Sequence, residues 1–301
     1  MSIEDLVSVV IPSYKRPHML GRALKSVLSQ TYDNLEIIVV NDDPETDLDR
    51  ITVLDDRIKL INHEKNRGAP AARNTGIKNS TGEYIAFLDD DDEWLPEKIE
   101  KQVKKFEELD SNYGIVYCWW KIIKKEKTIE KTPEKKGDIY PDSLQSCPAT
   151  TSATMLRKEV FDNVGPFNTE LQSHQEWDMW FRTSKKYKFS YIPEILMLQH
   201  RTHLDRISAN INRHVETWDI IMEKYKDEFE KHPSILHQKT KAKGVRLGSM
   251  GANSKICSRF FKKSLEYGDK DIMSLIYLMV SKFPTKMRKY FFKKIIEYYQ
   301  S

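Results

Sequence analysis

Tyr84-Ile85-Ala86-Phe87-Leu88-Asp89-Asp90-Asp91-Asp92-Glu93-Trp94-Leu95-Pro96 is the stretch whose reading decides the fold. Its five apolar residues predict a buried strand, and the four aspartates place a row of carboxylates where that strand ends. Hard oxygen ligands at one edge of a sheet can hold Mg²⁺ or Mn²⁺ and, through the ion, a substrate's phosphates. An isolated acidic run reads first as a solvated turn. This one follows a strand directly and leads into a helix-like segment from Pro96 to Leu109, with Pro96 in its first turn. In open α/β sheets, ligands collect beyond the carboxyl ends of strands.

Upstream the same pattern recurs. Val7-Ser8-Val9-Val10-Ile11, closed by Pro12, reads as a buried strand, and Leu20, Ala23, Leu24, Val27 and Leu28 form one face of a helix. Leu35 to Val40 and Ile58 to Ile61 are further strands, with a helix predicted from Ala69 to Lys78. Strands alternating with helices at this spacing predict a parallel sheet with crossover helices. Each strand end carries polar or acidic residues: Ser13 and Tyr14, then Asp42, then the aspartate run. Neither G-x-G-x-x-G after a strand nor G-x-x-x-x-G-K-[ST] is present, which argues against a dinucleotide fingerprint and a P-loop.

Downstream, Tyr113 to Ile123 predicts a strand, Lys124 to Lys136 a charged hairpin or loop, and Trp177 to Lys186 a helix. Two strands follow, Phe189 to Ile192 and Ile195 to Gln199. Beyond about residue 210 the pattern is helical only, with segments near 212–230, 235–248, 253–267, 270–281 and 285–299.

The composition sets limits. The 301 residues are 39% hydrophobic and 31% charged, enough for one large domain or a domain with a helical appendage. No stretch reaches the roughly 20 apolar residues that span a bilayer. Cys118, Cys147 and Cys257 are odd in number and far apart, which fits a reducing compartment better than a disulfide framework or zinc site. Met1-Ser2-Ile3-Glu4-Asp5 has no secretory h-region. A cytoplasmic protein is expected. The net charge of +4 is uneven: from residue 231 onward 16 Lys/Arg face 4 Asp/Glu, a balance of +12, and the remainder carries −8. A basic C-terminal end on an acidic body points to a negatively charged surface as a partner of that end.

Several ordered motifs now resemble one family. They are Val7 to Arg16, Leu28-Ser29-Gln30-Thr31-Tyr32, Glu36 to Asp43, Asn66-Arg67-Gly68, Ala72-Arg73-Asn74-Thr75-Gly76, and Gly82 to Leu88 leading into the aspartates. Together, over about residues 6 to 205, they resemble the family 2 glycosyltransferases. The resemblance implies a GT-A fold, a Rossmann-like α/β mixed sheet with flanking helices, over residues 1–208, with the helical region at 209–301. It also implies inverting transfer of a sugar from a nucleotide diphosphate-sugar, UDP first among the donors. The acceptor would be a glycan or a lipid-linked molecule in surface polysaccharide or glycoconjugate synthesis.

Carried over residue by residue, it assigns Pro12, Ser13, Tyr14 and Arg16 to the nucleotide, the Tyr14 ring being able to lie against a base. Asp42 would accept from the base and Arg67 would line the pocket. Asp89 and Asp91 fall on the family's D-x-D: Asp89 would face the ribose or donor sugar, Asp91 would ligate Mn²⁺ or Mg²⁺, and Asp90 would touch the sugar nucleotide. Asp92 is left to cap a helix or to support the others, since four carboxylates cannot share one cation without repulsion. His203 matches a late histidine that reaches the metal or diphosphate, with His200 as its competitor. Glu176 aligns with the catalytic base, which takes the acceptor's hydroxyl proton. Gln175-Glu176 replaces the commoner Glu-Asp pair, so Asp178 stays an alternative. The small polar residues of Pro148 to Met155 resemble the loop that flanks the acceptor cavity.

Each assigned residue also has a plainer use: Tyr14 as packing, Asp42 as a turn cap, Glu176 and Asp178 as helix N-terminal acids. The tail has two readings. Lys286, Arg288, Lys289, Lys293 and Lys294 interleave with Met287, Tyr290, Phe291, Phe292, Ile295, Ile296, Tyr298 and Tyr299. Such a helix lies on an anionic membrane or packs on its neighbours with its lysines in water. The first reading would put the protein at the inner face of the membrane. No nucleic-acid reader motif accompanies these charges. Two rivals to the transferase reading are a catalytically inactive sugar-nucleotide-binding module and a sugar nucleotidyltransferase, whose Gly-rich phosphate loop Pro12-Ser13-Tyr14-Lys15-Arg16 scarcely resembles.

Overall fold

The computed structural model describes residues 5–51, 53–146, 148–201, 210–267 and 272–298. The chain forms two units, Met1–Ser143 with Cys147–Leu204, and Leu144–Ser146 with Asp205–Ser301.

The first unit is built around β1 (Val7–Ser13), which is buried along its whole length because it has a strand on each side. It pairs in parallel with β2 (Leu35–Asn41) and β4 (Tyr84–Phe87), and β2 pairs in parallel with β3 (Ile58–Asn62). The crossovers are α1 (Pro17–Leu28), with proline in its first turn, and α2 (Ala69–Asn79). Beyond β4 the sheet turns mixed. β8 (Thr154–Arg157) runs antiparallel to both β4 and β6 (Tyr113–Ile123), β9 (Lys188–His200) runs parallel to β6, and β5 (Asp92–Trp94) is antiparallel to β9. β7 (Thr128–Lys131) forms a hairpin with β6. The order is β3-β2-β1-β4-β8-β6-β9-β5.

Strand periodicity decides which helix covers which face. Val7, Val9 and Ile11 join one apolar cluster with Leu20, Leu24 and Val27 of α1 and Ile99, Val103 and Phe106 of α3 (Lys98–Glu107). Val10 points the other way. It joins a second cluster with Ile77 of α2, Phe161 of α4 (Glu159–Val164), and Met179 and Trp180 of α5 (Gln175–Ser184). Burying each such Val, Leu, Ile or Phe contributes ~1.5–3 kcal/mol.

Three expectations need correction. The aspartate run does not pass straight into a helix: β5 intervenes, and α3 starts at Lys98, beyond Pro96. The two strands around residues 189–199 are one, since β9 absorbs Pro193 and Glu194 as an irregularity opposite Cys118 and Trp119. The helix expected over 212–230 is broken at Tyr225 into α6 (Ile211–Lys224) and α7 (Lys226–Lys231).

The second unit continues with α8 (Pro233–Met250), α9 (Ser254–Tyr267), α10 (Ile272–Val280) and α11 (Thr285–Tyr298). Trp218, Leu247, Phe260, Phe261, Tyr277 and Phe292 form its core. Arg288, read above as part of a basic stripe, is 2% exposed. Its guanidinium donates to the carbonyls of Ala252 (2.6 Å), Phe283 (2.6 Å) and Ser281 (3.2 Å), so it satisfies chain ends that a helix leaves without partners.

Gly76 marks the tightest helix–strand approach in the first unit. A Cβ there would lie 2.2 Å from Val10 Cγ1, and Val10 is held between two strands. Helix propensity would favour Gly76→Ala by ~1 kcal/mol. Overpacking against an immobile side chain costs ~1–3 kcal/mol and wins. The expected result is a lower urea midpoint with an unchanged slope; a raised midpoint would show that α2 and β1 can separate freely.

Candidate active site

The aspartate run is held at both ends by one hydroxyl. Ser152, in the 3₁₀ turn Thr151–Ala153, accepts from the Asp89 amide at 3.1 Å and donates to Asp92 Oδ2 at 2.6 Å. Its carbonyl accepts from Trp94 Nε1 at 2.7 Å. Asp92 is therefore buried against protein, at the start of β5 rather than at a helix cap. Lys98 lies beneath, its Nζ 3.9 Å from the Trp94 ring centroid and donating to Gln102 Oε1 at 2.7 Å. Complete burial lowers the Lys98 pKa to about 8. Thr151, Ser152 and Thr154 are buried, and the hydroxyls of Ser152 and Thr154 donate to Asp92 and to the Thr151 carbonyl.

The first three aspartates each meet a different donor set. Asp89 Oδ1 receives Arg73 Nη2 at 2.6 Å. Asp90 Oδ2 receives Ser13 Oγ at 3.2 Å and the Tyr14 amide at 3.3 Å. Arg16 Nη1 lies 3.4 Å from Asp90 Oδ1 and 3.3 Å from Asp91 Oδ2, and Arg22 Nη2 donates to the Asp91 carbonyl at 2.7 Å. Burial pushes the Asp90 carboxyl up to about 6; Arg16 opposes this, while Asp91 and Asp89 add to it. Such crowding of hard oxygen donors suits a divalent cation. Among the described residues no three His, Cys, Asp or Glu side chains converge into a ready cage. The donor set thus fits an ion that takes one or two carboxylates and completes its shell with phosphate oxygens and water, as Mg²⁺ commonly does.

At the end of β2, Asp42 is 3% exposed. Its oxygens accept from the amides of Arg67 (2.8 Å) and Gly68 (2.7 Å), and His63 Nδ1 lies 2.8 Å away. Asp42 thereby fixes the turn that opens α2, where Gly68 takes φ 85°. The Arg67 side chain is exposed, and Tyr14 is 41% exposed with Lys15 Nζ 5.4 Å from its ring centroid. Pro12 stays within β1, opposite Val40.

The link that the sequence reading missed is Arg73. Buried on α2, it donates from Nη2 to Asp89 and from Nη1 to Gln175 Oε1 at 3.1 Å. Gln175 is the first residue of α5, so the end of β4 is tied to the turn that carries Glu176 and Asp178. These two acids differ sharply. Asp178 is fully buried and paired with Arg182 Nε at 2.9 Å, while Arg182 also donates to the Val164, Gly165 and Pro166 carbonyls. Glu176 is half-buried and makes no hydrogen bond or ion pair with a described residue. Lys15 and His174, both at φ 57°, precede α1 and α5. Left-handed backbone at residues other than glycine costs ~1–3 kcal/mol and gathers at functional sites. His200 Nε2 lies 3.0 Å from Glu93 Oε2, and His203 lies outside the described residues. The signal that could have found Arg73 was present: an arginine in the Ala-Arg-Asn-Thr-Gly run, on a helix whose other buried residues are Pro70, Ala71, Ala72, Gly76 and Ile77.

Comparison with known proteins gives this geometry its context. The family model described as glycosyl transferase family 2 matches residues 8–167. The UDP-Glc:alpha-D-GlcNAc-diphosphoundecaprenol beta-1,3-glucosyltransferase WfgD of Escherichia coli is 31% identical over 72% of this chain and 85% of its own length. The uncharacterized glycosyltransferase RC0461 of Rickettsia conorii is 38% identical over 60% of this chain, which spans only 30% of that protein. Among solved structures, residues 1–349 of S. aureus TarS in complex with UDP-GlcNAc align with a TM-score of 0.57 at 15% identity, covering 92% of this chain and 90% of that one. The mannosyltransferase PcManGT from Pyrobaculum calidifontis, in complex with GDP-Man and Mn²⁺, aligns with a TM-score of 0.58 at 16% identity, covering 98% and 86%. These structural likenesses establish the fold: a GT-A-type mixed sheet with flanking helices and a helical C-terminal region.

Arg73→Met keeps the volume of the side chain and removes both its hydrogen bonds. Gln175 would lose its buried donor and Asp89 its cation, although Asp89 is 30% exposed and water recovers part of that loss. The expected destabilisation is ~1–3 kcal/mol in chemical unfolding. A variant as stable as the parent would show that the β4–α5 link is held by packing alone.

Proposed function

The chain belongs to glycosyl transferase family 2 and is a glycosyltransferase, and we propose that it moves a sugar, with inversion, from a nucleotide diphosphate-sugar to a hydroxyl of a glycan or lipid-linked acceptor. The observation that carries this reading is the Asp89–Arg73–Gln175 bridge, which joins the acidic strand end to the turn bearing Glu176, half-buried and without a partner among the described residues. UDP is favoured as the nucleotide by the UDP-GlcNAc held in TarS and by the donor in the name of WfgD. WfgD's name also specifies a diphosphoundecaprenol-linked acceptor, which supports a lipid-linked acceptor. The catalytic domain in this reading is residues 1–208.

The nucleotide would lie over the ends of β1 and β2, with the exposed Tyr14 ring against the base and Pro12, Ser13, Arg16, Asp42 and Arg67 around it. Asp42 already accepts two backbone N–H groups, so its contribution to base recognition is to hold the Arg67–Gly68 turn as well as to offer a remaining lone pair. Asp89 and Asp90 would take the ribose and sugar hydroxyls. Asp91, with His203, would hold Mn²⁺ or Mg²⁺, which when bound offsets the charge developing on the diphosphate leaving oxygens. Arg16, paired with Asp90 and Asp91 and one-third exposed, would turn toward the diphosphate. Glu176 accepts the proton of the acceptor hydroxyl as its oxygen attacks the anomeric carbon. The bond from that carbon to the phosphate oxygen breaks, and the nucleoside diphosphate departs. Asp178, the alternative base, is fully buried and paired with Arg182, so Glu176 is the more reachable of the two for an acceptor.

The direct test is nucleotide release from UDP-, GDP- and dTDP-sugars with Mn²⁺, Mg²⁺ or EDTA; release from no donor, with or without acceptor glycans, would sink the reading. Asp91→Ala should abolish the metal dependence of UDP binding in calorimetry, and a retained Mn²⁺-dependent affinity would remove Asp91 from the ligand set. Glu176→Gln should leave UDP affinity unchanged and lower turnover by about 10²-fold or more. Near-normal turnover would move the base elsewhere.

A further inference from the structure

Among the described residues eleven large apolar or aromatic side chains stand exposed, and eight of them lie between residues 272 and 298. That concentration separates this stretch from the scattered exposed apolar residues any protein carries. α10 contains no charged residue. Its Ser274, Tyr277 and Val280 face inward, while Ile272, Leu275 and Met279 form an outward stripe at helical spacing. Phe283 continues the exposed surface to α11, where Met287 and Tyr290 are 57% and 66% exposed. α11 packs inward through Arg288 and Phe292.

The charges beside these stripes are of one sign. Lys282, Lys286, Lys289, Lys293 and Lys294 are all exposed, and the acid in the stretch, Glu297, pairs with Lys294 at 2.8 Å. A water-facing helix carries charges of both signs and few exposed apolar side chains, and five lysines on one stretch repel a second copy of the same face while complementing an anionic surface. At nine residues α10 is too short to cross a bilayer, which needs ~20. Among the described residues no helix is long and apolar enough to do so. Apolar side chains flanked by lysines suit the headgroup layer, where the chains sink below the phosphates and the ammonium groups stay level with them.

We propose that α10, Phe283 and the exposed face of α11 form a docking surface for an anionic lipid interface. Arg288 and Phe292 take no part, since both are committed to the core. The proposal concerns attachment, not transfer, and stands or falls separately from the donor chemistry.

The test is cosedimentation of the full chain with vesicles of phosphatidylcholine alone and of three parts phosphatidylcholine to one part phosphatidylglycerol. Binding to the mixed vesicles alone, weakened by salt, is the expected result. Met279→Asp with Met287→Asp, and separately Lys286→Glu with Lys289→Glu, should each lower partitioning by on the order of tenfold or more. All four positions are exposed, so melting temperature and acceptor-free nucleotide release should stay those of the parent. No binding to the mixed vesicles, or equal binding by parent and variants, would overturn the proposal. So would concentration-dependent dimerisation abolished by the same substitutions, which would assign the face to a second copy of the chain.

Discussion

Four carboxylates in sequence cannot occupy one half-buried strand end unless each has its own donor. That constraint organises the first unit. Asp89 takes a guanidinium from α2, Asp90 a hydroxyl and an amide from the end of β1, Asp91 a guanidinium from the entry to α1, and Asp92 the hydroxyl of Ser152. The donors come from four different parts of the chain. Neutralising the run therefore draws β1, α1, α2 and the turn before β8 toward one point. The neutralisation is incomplete: burial keeps the Asp90 pKa raised, and Asp91 shares Arg16 with Asp90.

α2 shows how densely the sequence encodes this. Arg73 reaches Asp89 and Gln175, Asn74 clamps the Phe167 peptide through bonds of 2.8 and 2.9 Å, Thr75 meets His63, and Gly76 lets the helix settle on Val10. Four consecutive residues secure four directions. Asn74 and Thr75 do for the Phe167 segment and the Asp42 turn what Arg73 does for the aspartates. A helix with so little apolar surface is held by polar specificity more than by burial, which explains why its hydrophobic pattern says little about its orientation.

The fold was legible where side-chain periodicity governs it. Val7 to Ile11, the α1 stripe and the run before the aspartates gave strands and helices within a residue or two. β5 was hidden because three residues, Asp92 to Trp94, show no period, and their pairing with β9 depends on residues more than a hundred positions away. Motif residues were harder to read than elements. Gln30 belongs to a run that resembles the family, yet its amide bonds to Leu95 and Ile99 and so positions the start of α3. Ser152 and Thr154 suggested a ligand surface by composition and are consumed by the protein. Arg288 looked like part of a basic face and is the most buried charge of its unit. In each case the sequence supplies the chemical group and the tertiary contact decides whom it serves.

The same distinction separates Glu176 from Asp178, two acids in one helical turn. A proton acceptor must be reachable. Asp178 has no exposed surface and is paired with Arg182, which anchors the helix to the Val164–Pro166 segment through three carbonyls. Glu176 lies one position after the Gln175 anchor, at the end of a chain of hydrogen bonds that begins at Asp89. Arg73 holds Gln175 and Arg182 holds Asp178, which fixes the backbone on either side of Glu176, and its carboxylate has no partner among the described residues. That arrangement supports the proposed role of Glu176 as general base, because a base's reach must be set before the acceptor arrives.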